Sequence, residues 1–269
     1  MSLPARANIV GVCVSITRYK EAVDAVLSAA SAQRSLLLTA ADVHQIMQAR
    51  RDPCYAAVIN AFDIVTPDGQ PVRWGLRWTR QAFLSERVYG PTLMLHVCDA
   101  ARNAGVPIFL YGSRQETLER LNRALCKRFP GLLVAGQRAG RFRPLTATEQ
   151  EEDCAAIRES GARIVVIGMG CPRQEWWAFH MREKLSMPLL TLGAAFDFHA
   201  GVVAQAPPFM QRHGLEWLFR LSREPRRLWH RYLVLNPQYL PLIFAQSLGL
   251  RRFRANVDLV DAKRRPCPG

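Results

Sequence analysis

Short runs of aliphatic and β-branched residues alternate along this chain with longer segments that carry an apolar residue every three or four positions. The short runs are typical of buried strands, and the longer segments are typical of helices packed on one face. Strands that alternate with helices need right-handed crossovers, which place the strands parallel in one sheet with helices on both faces. The predicted strands are residues 8–16, 35–40, 62–66, 107–111, 132–135, 163–167 and 189–192. The sequence therefore predicts an α/β fold with a Rossmann-like parallel sheet.

Helical spacing and end signals place the helices between these runs. Val23, Val26 and Ala30 share one helical face, and Asp42 is a candidate N-cap for a helix that continues through Arg50. The remaining predicted helices are residues 91–105, 114–129, 146–161 and 173–184.

In such sheets, ligands bind at the carboxyl ends of the strands. This rule places Thr39, Asp68, Gly112 and residues 168–174 along one edge. That edge is the predicted ligand site.

The segment Gly168-Met-Gly-Cys-Pro-Arg-Gln-Glu175 joins an apolar strand to a helix through two glycines. This geometry aims free backbone N–H groups at an anion, and a tight turn that glycine permits is the simpler alternative. Arg173 and Gln174 at the helix start favour the anion site, because packing does not require them.

Asp68 lies in Pro67-Asp68-Gly69, directly after a strand. One interpretation is a catalytic carboxylate, and the other is an aspartate that only stabilises the turn by bonding the backbone. Asp63 is the competing carboxylate, but it lies inside an apolar run and is expected to be less accessible.

The chain is strongly basic, with 36 Lys and Arg against 22 Asp and Glu, and only four of the 36 are lysine. Guanidinium groups bind phosphate oxygens bidentately, although codon composition explains the same bias. The expected partner is anionic: a nucleotide, a membrane surface or a nucleic acid. Residues 201–269 hold 12 Lys and Arg and 4 Asp and Glu. We therefore divide the chain into an α/β core, residues 1–200, and a basic amphipathic helical appendage, residues 201–269.

Residues 232–250 carry no charge but contain two prolines and several polar side chains, so a membrane-spanning helix is not expected. Arg226, Arg227 and Arg231 precede this stretch, and Arg251 and Arg252 follow it. The pattern favours an element at the surface of an anionic membrane, and a helix packed on its own domain is the alternative.

Metal and cofactor motifs are not found in the sequence. The seven cysteines form no CxxC pair, there is no Asp-x-Asp, and Asp197 with His199 is a weak pair, so we expect no metal, no cofactor and a reducing compartment. A nucleotide-cofactor α/β oxidoreductase would need a Gly-x-Gly-x-x-Gly turn, which is missing. The net charge alone leaves a nucleic-acid-binding protein as an alternative, but we expect no nucleic acid among the partners. The first residues do not form a signal peptide.

Seven motifs together resemble bacterial glycosyltransferase family 26, the TagA/WecG/CpsF group, over roughly residues 8–245. They are Thr39 after a strand, Pro67-Asp68-Gly69, Glu86-Arg87-Val-Tyr-Gly90, Phe109-Leu-Tyr-Gly112, Gly168-Met-Gly-Cys-Pro-Arg-Gln-Glu175, Gly193-Ala-Ala-Phe-Asp-Phe-His-Ala-Gly201, and Leu215-Glu-Trp-Leu-Phe-Arg220 followed by Glu224-Pro-Arg-Arg227.

The resemblance implies a metal-independent inverting transferase. Such an enzyme moves a sugar from a UDP donor to a polyprenyl-diphosphate-linked acceptor at the cytoplasmic membrane face, and a homo-oligomer stays open. Asp68 corresponds to the proposed base. The substrate-binding residues that the resemblance implies are Thr39, Gly69, Arg87, Gly90, Gly112, Gly168, Gly170, Pro172, Arg173, Gln174, Glu175, Arg220, Arg226, Arg227 and Arg231.

One departure from the family pattern concerns the donor. Many members have Asn two residues after the threonine, and this chain has Ala41 there. The donor is therefore expected to be either UDP-N-acetylmannosamine or a neutral UDP-hexose such as UDP-glucose, in exopolysaccharide or other cell-surface polysaccharide synthesis.

Overall fold

A computed structural model describes residues 3–207, 209–210 and 214–269, and it confirms the predicted parallel sheet. The sheet strands are β3 (Leu36–Ala41), β4 (Ile64–Pro67), β5 (Ile108–Tyr111), β6 (Val134–Arg138), β7 (Ile164–Ile167) and β8 (Pro188–Thr191). They lie in the order β4-β3-β8-β7-β5-β6, and each pair of neighbours is parallel.

Helices connect the strands and cover both faces of the sheet. Those of the first 200 residues are α1 (Tyr19–Ser31), α2 (Val43–Arg51), α3 (Pro53–Asn60), α4 (Gln70–Trp78), α5 (Gly90–Asn103), α6 (Gln115–Arg128), α7 (Ala147–Glu159), α8 (Arg173–Met181) and α9 (Gly193–His199). The appendage contains α10 (Glu216–Arg223), α11 (Pro225–Trp229), a π-helical turn (His230–Leu235), α12 (Asn236–Ser247) and α13 (Val260–Arg264).

The prediction of one strand over residues 8–16 was wrong. Val10 and Gly11 have positive φ angles of 51° and 93°, so the chain turns and forms an antiparallel hairpin of β1 (Arg6–Ile9) and β2 (Val12–Ser15). This hairpin is a separate two-stranded sheet. It borders the large sheet at β4, where Val65 N donates a hydrogen bond to Ser15 Oγ (3.0 Å).

Alternate residues of the buried strands face two hydrophobic cores. On β7, Val165 and Ile167 pack with α2, α3 and α8, whereas Ile164 and Val166 pack with α1, α5 and α6. All four side chains are fully buried, as expected for a parallel strand covered on both faces.

The appendage shares the first of these cores. Leu235, Tyr239 and Ile243 are buried in it together with Val72 of α4. Gly75 makes the close approach possible, because a Cβ there would lie only 2.7 Å from Tyr239 Oη. Residue 200 therefore marks a change in composition, while packing continues across it.

The uncharged stretch 232–250 forms the end of the π-helical turn and α12, and it has two faces. One face, formed by Leu235, Tyr239 and Ile243, is buried, as expected for a helix packed on its own domain. On the opposite face, Leu233, Phe244 and Leu248 are exposed. Within the described residues, no helix is both long enough and apolar enough to span a membrane.

Candidate active site

A cavity of about 1070 Å³ opens at the carboxyl edge of the sheet, where the sequence predicts the ligand site. Its floor follows the ends of β3, β4, β7 and β8, and its opposite wall is the appendage from α10 to the start of α12. The sequence-predicted residues that line it are Asp68, Gly69, Arg87, Gly90, Gly168, Gly170, Arg173, Gln174, Glu175, Arg220, Arg227 and Arg231.

Asp68 is fixed at the floor of the cavity by the end of β4. Its backbone N–H donates to the carbonyl of Ala41 (3.0 Å), and α4 begins two residues later, after Gly69 as the N-cap. The carboxylate lies beside Gly90 at the start of α5. A Cβ at Gly90 would come 3.5 Å from Asp68 Oδ2 and 3.2 Å from Ala40 Cβ, so a glycine allows this helix end to approach the carboxylate.

The surroundings of Asp68 raise its pKa to about 7. Burial is the main cause, and the nearby carboxylates of Asp42 and Glu216 act in the same direction. The guanidinium groups of Arg87 and Arg231 oppose the rise. A carboxylate with a pKa near neutrality is well matched to accept a proton from a hydroxyl group.

Glu216 of α10 joins the appendage to the core beside Asp68. It is buried, receives a hydrogen bond from Tyr89 Oη (2.6 Å) and forms an ion pair with Arg87 (2.5 Å). The Arg87 guanidinium also lies 4.4 Å from the centre of the Tyr89 ring. Neither Glu216 nor Tyr89 is predicted as a site residue from the sequence.

A second ion pair joins the two walls of the cavity, between Asp42 and Arg231 of the π-helical turn. Asp42 is also the N-cap of α2, as the sequence predicts. Its other oxygen accepts a hydrogen bond from Gln45 N (3.0 Å). Burial acts to raise the pKa of Asp42, but the positive charges of Arg231 and His44 outweigh it and hold the pKa below its ordinary value.

Three other cavity arginines form no ion pair with a carboxylate in the described part of the chain: Arg114, Arg173 and Arg220. Arg173 lies over the Phe142 ring (5.1 Å) and Arg220 over the Phe198 ring (5.3 Å). The buried Nε of Arg220 has no hydrogen-bond acceptor among the described residues. These guanidinium groups are therefore available to an anionic ligand.

The turn between β7 and α8 depends on two glycines and on one hydrogen bond to a side chain. A Cβ at Gly168 would lie 2.4 Å from the Phe196 ring, and Gly170 has a φ of +79°. Gln174 Oε1 accepts a hydrogen bond from Gly170 N (3.1 Å). The turn presents the N-terminal end of α8 to the cavity, where the helix dipole favours an anion.

Beneath this turn, Glu175 is the acceptor of a buried polar cluster. Its carboxylate receives hydrogen bonds from Gln174 Nε2 (2.7 Å), Thr39 Oγ1 (3.4 Å) and Tyr55 Oη (3.2 Å). Burial raises the pKa of Glu175 to about 7, although the hydrogen bonds from Gln174 and Tyr55 act against the rise. Through Gln174, this cluster fixes the shape of the turn above it.

Four predicted site residues lie outside the cavity wall: Thr39, Gly112, Pro172 and Arg226. The Thr39 hydroxyl is fully buried in the Glu175 cluster, and Arg226 is exposed on α11. Gly112 lies behind the wall, where a Cβ would come 2.4 Å from Met169 Cγ. Direct substrate contact by these residues stays a prediction, and the structure places them where they support the site or face solvent.

Asp197 also lines the cavity, whereas His199 Nε2 is bonded to the carbonyl oxygen of Pro91 (2.8 Å). Residues 3–207, 209–210 and 214–269 contain no group of three or more His, Cys, Asp or Glu side chains placed to hold a metal ion.

A poised carboxylate facing several guanidinium groups, at the carboxyl edge of a parallel sheet, is suited to transfer chemistry on a phosphate-bearing substrate. Comparison with known proteins agrees with this class. The sequence model described as the glycosyl transferase WecG/TagA/CpsF family matches residues 7–253, so this chain belongs to that family of glycosyltransferases.

One relative is similar to this chain over about three quarters of its length. It is the N-acetylglucosaminyldiphosphoundecaprenol N-acetyl-beta-D-mannosaminyltransferase of Bacillus spizizenii. The two sequences are 31% identical over 201 residues, which cover 73% of this chain and 74% of the relative.

Proposed function

We propose that this protein transfers an N-acetylmannosamine-type sugar from a UDP donor to an N-acetylglucosamine carried on a polyprenyl diphosphate. The acceptor and the transferred sugar are those in the name of the Bacillus spizizenii relative. The observation that carries the proposal is the position of Asp68, a carboxylate with a pKa near 7 at the floor of an arginine-lined cavity.

The reaction is a single displacement. A hydroxyl oxygen of the acceptor sugar attacks the anomeric carbon of the donor, and the bond from that carbon to the UDP oxygen breaks. Asp68 takes the hydroxyl proton, and the bonding electron pair leaves with UDP. Attack opposite the leaving group inverts the anomeric configuration. General-base catalysis of this kind contributes about 10²- to 10⁴-fold to a rate.

The departing UDP carries two phosphates, and guanidinium groups stabilise its charge in this proposal. Arg173 and Arg220 are available at once, because neither is paired with a described carboxylate. Arg87 and Arg231 exchange their carboxylate partners for phosphate oxygens when the donor binds. Charge held in place before the reaction stabilises a transition state without further reorganisation, so no divalent cation is needed.

The acceptor requires access to a membrane, and we propose peripheral attachment at the cytoplasmic face. Arg251, Arg252 and Arg254 form an exposed basic group after α12, and Trp229 and Leu233 are exposed before it. Basic residues near an anionic surface each contribute about 1 kcal/mol to binding. Replacing the three arginines together should weaken binding to anionic liposomes with a steep salt dependence, and flotation at two salt concentrations measures this.

A second donor has one observation in its favour. Ala41 stands where many family members have an asparagine amide, and it is fully buried at the end of β3. A neutral donor such as UDP-glucose does not need an amide partner for an N-acetyl group.

The test is a panel of UDP-sugars incubated with a short-chain polyprenyl-diphosphate N-acetylglucosamine. UDP release and the product mass are measured, with and without EDTA. Transfer of N-acetylmannosamine that is insensitive to EDTA supports the proposal. Glucose transfer supports the second donor, and no transfer from any UDP-sugar contradicts both. Retention on anionic liposomes but not on oligonucleotides excludes a nucleic-acid partner.

A further inference from the structure

The exposed apolar side chains of α4 and α12 form one surface that begins at the active-site cavity. Trp74 of α4 and Leu240 of α12 both line the cavity, and their side chains are 40% and 42% exposed. One helical turn further along each helix are Trp78 and Phe244, which are 42% and 59% exposed. Residues four apart lie on the same face of a helix, so each pair forms a row.

The two helices run side by side and lead away from the cavity. Tyr239 Oη donates to the carbonyl of Pro71 (3.2 Å), and a Cβ at Gly75, one turn on, would lie 3.1 Å from Ile243 Cδ1. Beyond the end of α4, Gln81 and Gln246 donate to the same carbonyl oxygen, that of Asn8 (3.0 and 2.7 Å). The contacts advance along both helices in the same direction, so the helices are parallel neighbours.

The aromatic row on α4 lies next to this contact. Pro71 and Gly75 mark the side of α4 that faces α12, and Trp74 and Trp78 follow them by three residues each, which places them on the adjacent strip of surface. The rings of Trp74 and Trp78 are 6.1 Å apart. With Leu240 and Phe244 on the other side of the contact, they form a strip that we call the α4–α12 track.

We propose that the α4–α12 track binds the first isoprene units of the polyprenyl-diphosphate acceptor. The proposal rests on the proposed function and adds to it the path of the lipid. The acceptor is an amphiphile with an anionic diphosphate at one end and a hydrocarbon chain at the other. The cavity supplies guanidinium groups, and the track supplies apolar surface that continues from its mouth at Trp74 and Leu240.

The size of the track fits only the start of the chain. At about 1.5 Å per residue, Trp74 to Trp78 and Leu240 to Phe244 each span about 6 Å. The distal part of the lipid therefore remains in the membrane while its first units lie against the protein.

The experiment is acceptor binding without donor, so that it does not depend on turnover. N-acetylglucosamine diphosphate carrying one to four isoprene units is titrated into the full-length protein by calorimetry, below the micelle concentration and without membranes. The wild type should bind the longest acceptor at least tenfold more tightly than the shortest, because each added unit buries apolar surface. In Trp78→Ser/Phe244→Ser this ratio should fall to about twofold or less.

The matched control replaces exposed apolar residues away from both helices, as Leu133→Ser/Val260→Ser, whose wild-type side chains are 50% and 60% exposed. It should keep the wild-type ratio. If the double variant unfolds at a lower temperature than wild type, the single variant Phe244→Ser replaces it in the titration. Its ratio should lie between those of wild type and the double variant.

An unchanged ratio in the track variant overturns the proposal. If the ratio is unchanged and the variant also loses liposome binding, the track is a membrane contact. If the ratio is unchanged and the sedimentation coefficient changes, the track is a contact between copies of the protein. Failure of the proposed function is distinguishable from failure of this proposal. In that case wild-type protein would transfer no sugar from any UDP donor, whatever its affinity for the acceptor.

Discussion

The two walls of the cavity differ in how the chain builds them. The core wall consists of strand ends and tight turns, and its main chemical group is Asp68, held by backbone hydrogen bonding and by the close approach of Gly90. The appendage wall consists of short helices and a π-helical turn, and it carries Arg220, Arg227 and Arg231 on side chains that are partly or largely exposed. The core wall therefore carries the proposed base, and the appendage wall carries positive charge.

The two walls are joined by ion pairs of opposite sense. In one pair the core supplies the arginine, Arg87, and the appendage supplies Glu216. In the other the core supplies the acid, Asp42, and the appendage supplies Arg231. All four groups influence the pKa of Asp68 in addition to burial, so docking of the appendage contributes to the proton affinity of the core carboxylate.

The largest expected effect comes from the core wall. Asp68→Asn keeps the shape of the side chain but cannot accept the proton, so we expect kcat to fall by about 10²-fold or more while UDP affinity is retained. Steady-state kinetics and UDP titration measure the two quantities. The control is Asp63→Asn, because Asp63 is bonded to Leu37 N (2.8 Å) and Arg182 instead of facing the cavity. Asp63→Asn should lower thermal stability and leave kcat unchanged. If Asp63→Asn lowers kcat more than Asp68→Asn does, Asp63 is the base instead.

The appendage wall is tested by removing one guanidinium group. Arg220→Ala should lower kcat by about 10- to 10³-fold, because a fixed charge at the leaving group acts mainly in the transition state. Arg223→Ala is the matched control, since Arg223 is exposed on the same helix and does not line the cavity. Equal effects of the two substitutions would mean that charge on α10 acts only at long range.

The contact between the walls has a steric test. Gly75→Ala places a methyl group 2.7 Å from Tyr239 Oη, which should lower the free energy of unfolding by about 1–3 kcal/mol, although Ala is otherwise favoured over Gly in a helix. Tyr239→Phe removes the Oη atom and should restore part of that loss in the double variant. Urea unfolding of the four proteins completes the cycle. Additive effects would show that Tyr239 Oη does not limit the space at Gly75.

The smallest expected effect is a shift in pH dependence. Asp68 must be deprotonated to accept a proton, so kcat/KM should fall as pH decreases through about 7. Glu216→Gln removes a negative charge that raises the pKa of Asp68, so the acidic limb should move to lower pH, by about one unit or less. Glu224→Gln, on the same wall but paired with Arg227, should leave the limb in place. Movement to higher pH after Glu216→Gln would contradict the electrostatic account.

Most of the core wall could be predicted from the sequence, because its signals are local. Asp68 follows a strand within a turn motif, and Gly168 and Gly170 mark the turn before α8. Local signals also explain the error at Val10 and Gly11, where β-branched residues on both sides of a turn look like one strand.

The links between the walls could not be predicted, since they join residues far apart in the chain. Asp42 is recognisable as a helix N-cap, but its pairing with Arg231 depends on where the appendage docks. Glu216 reads as a solvated charge beside Trp217, and only the tertiary structure buries it between Arg87 and Tyr89. The same holds for Gly75, whose need for a small side chain comes from Tyr239.

The mechanism proposed for this site is a single displacement at the anomeric carbon with Asp68 as the base. The most direct measurement is the anomeric configuration of the product, determined by NMR, for wild type and Asp68→Asn with the α-linked UDP-sugar that wild type uses. A single displacement with Asp68 as the base predicts a β-linked product from wild type and almost none from the variant over the same time. A product with retained α configuration, or wild-type amounts of product from Asp68→Asn, would contradict it.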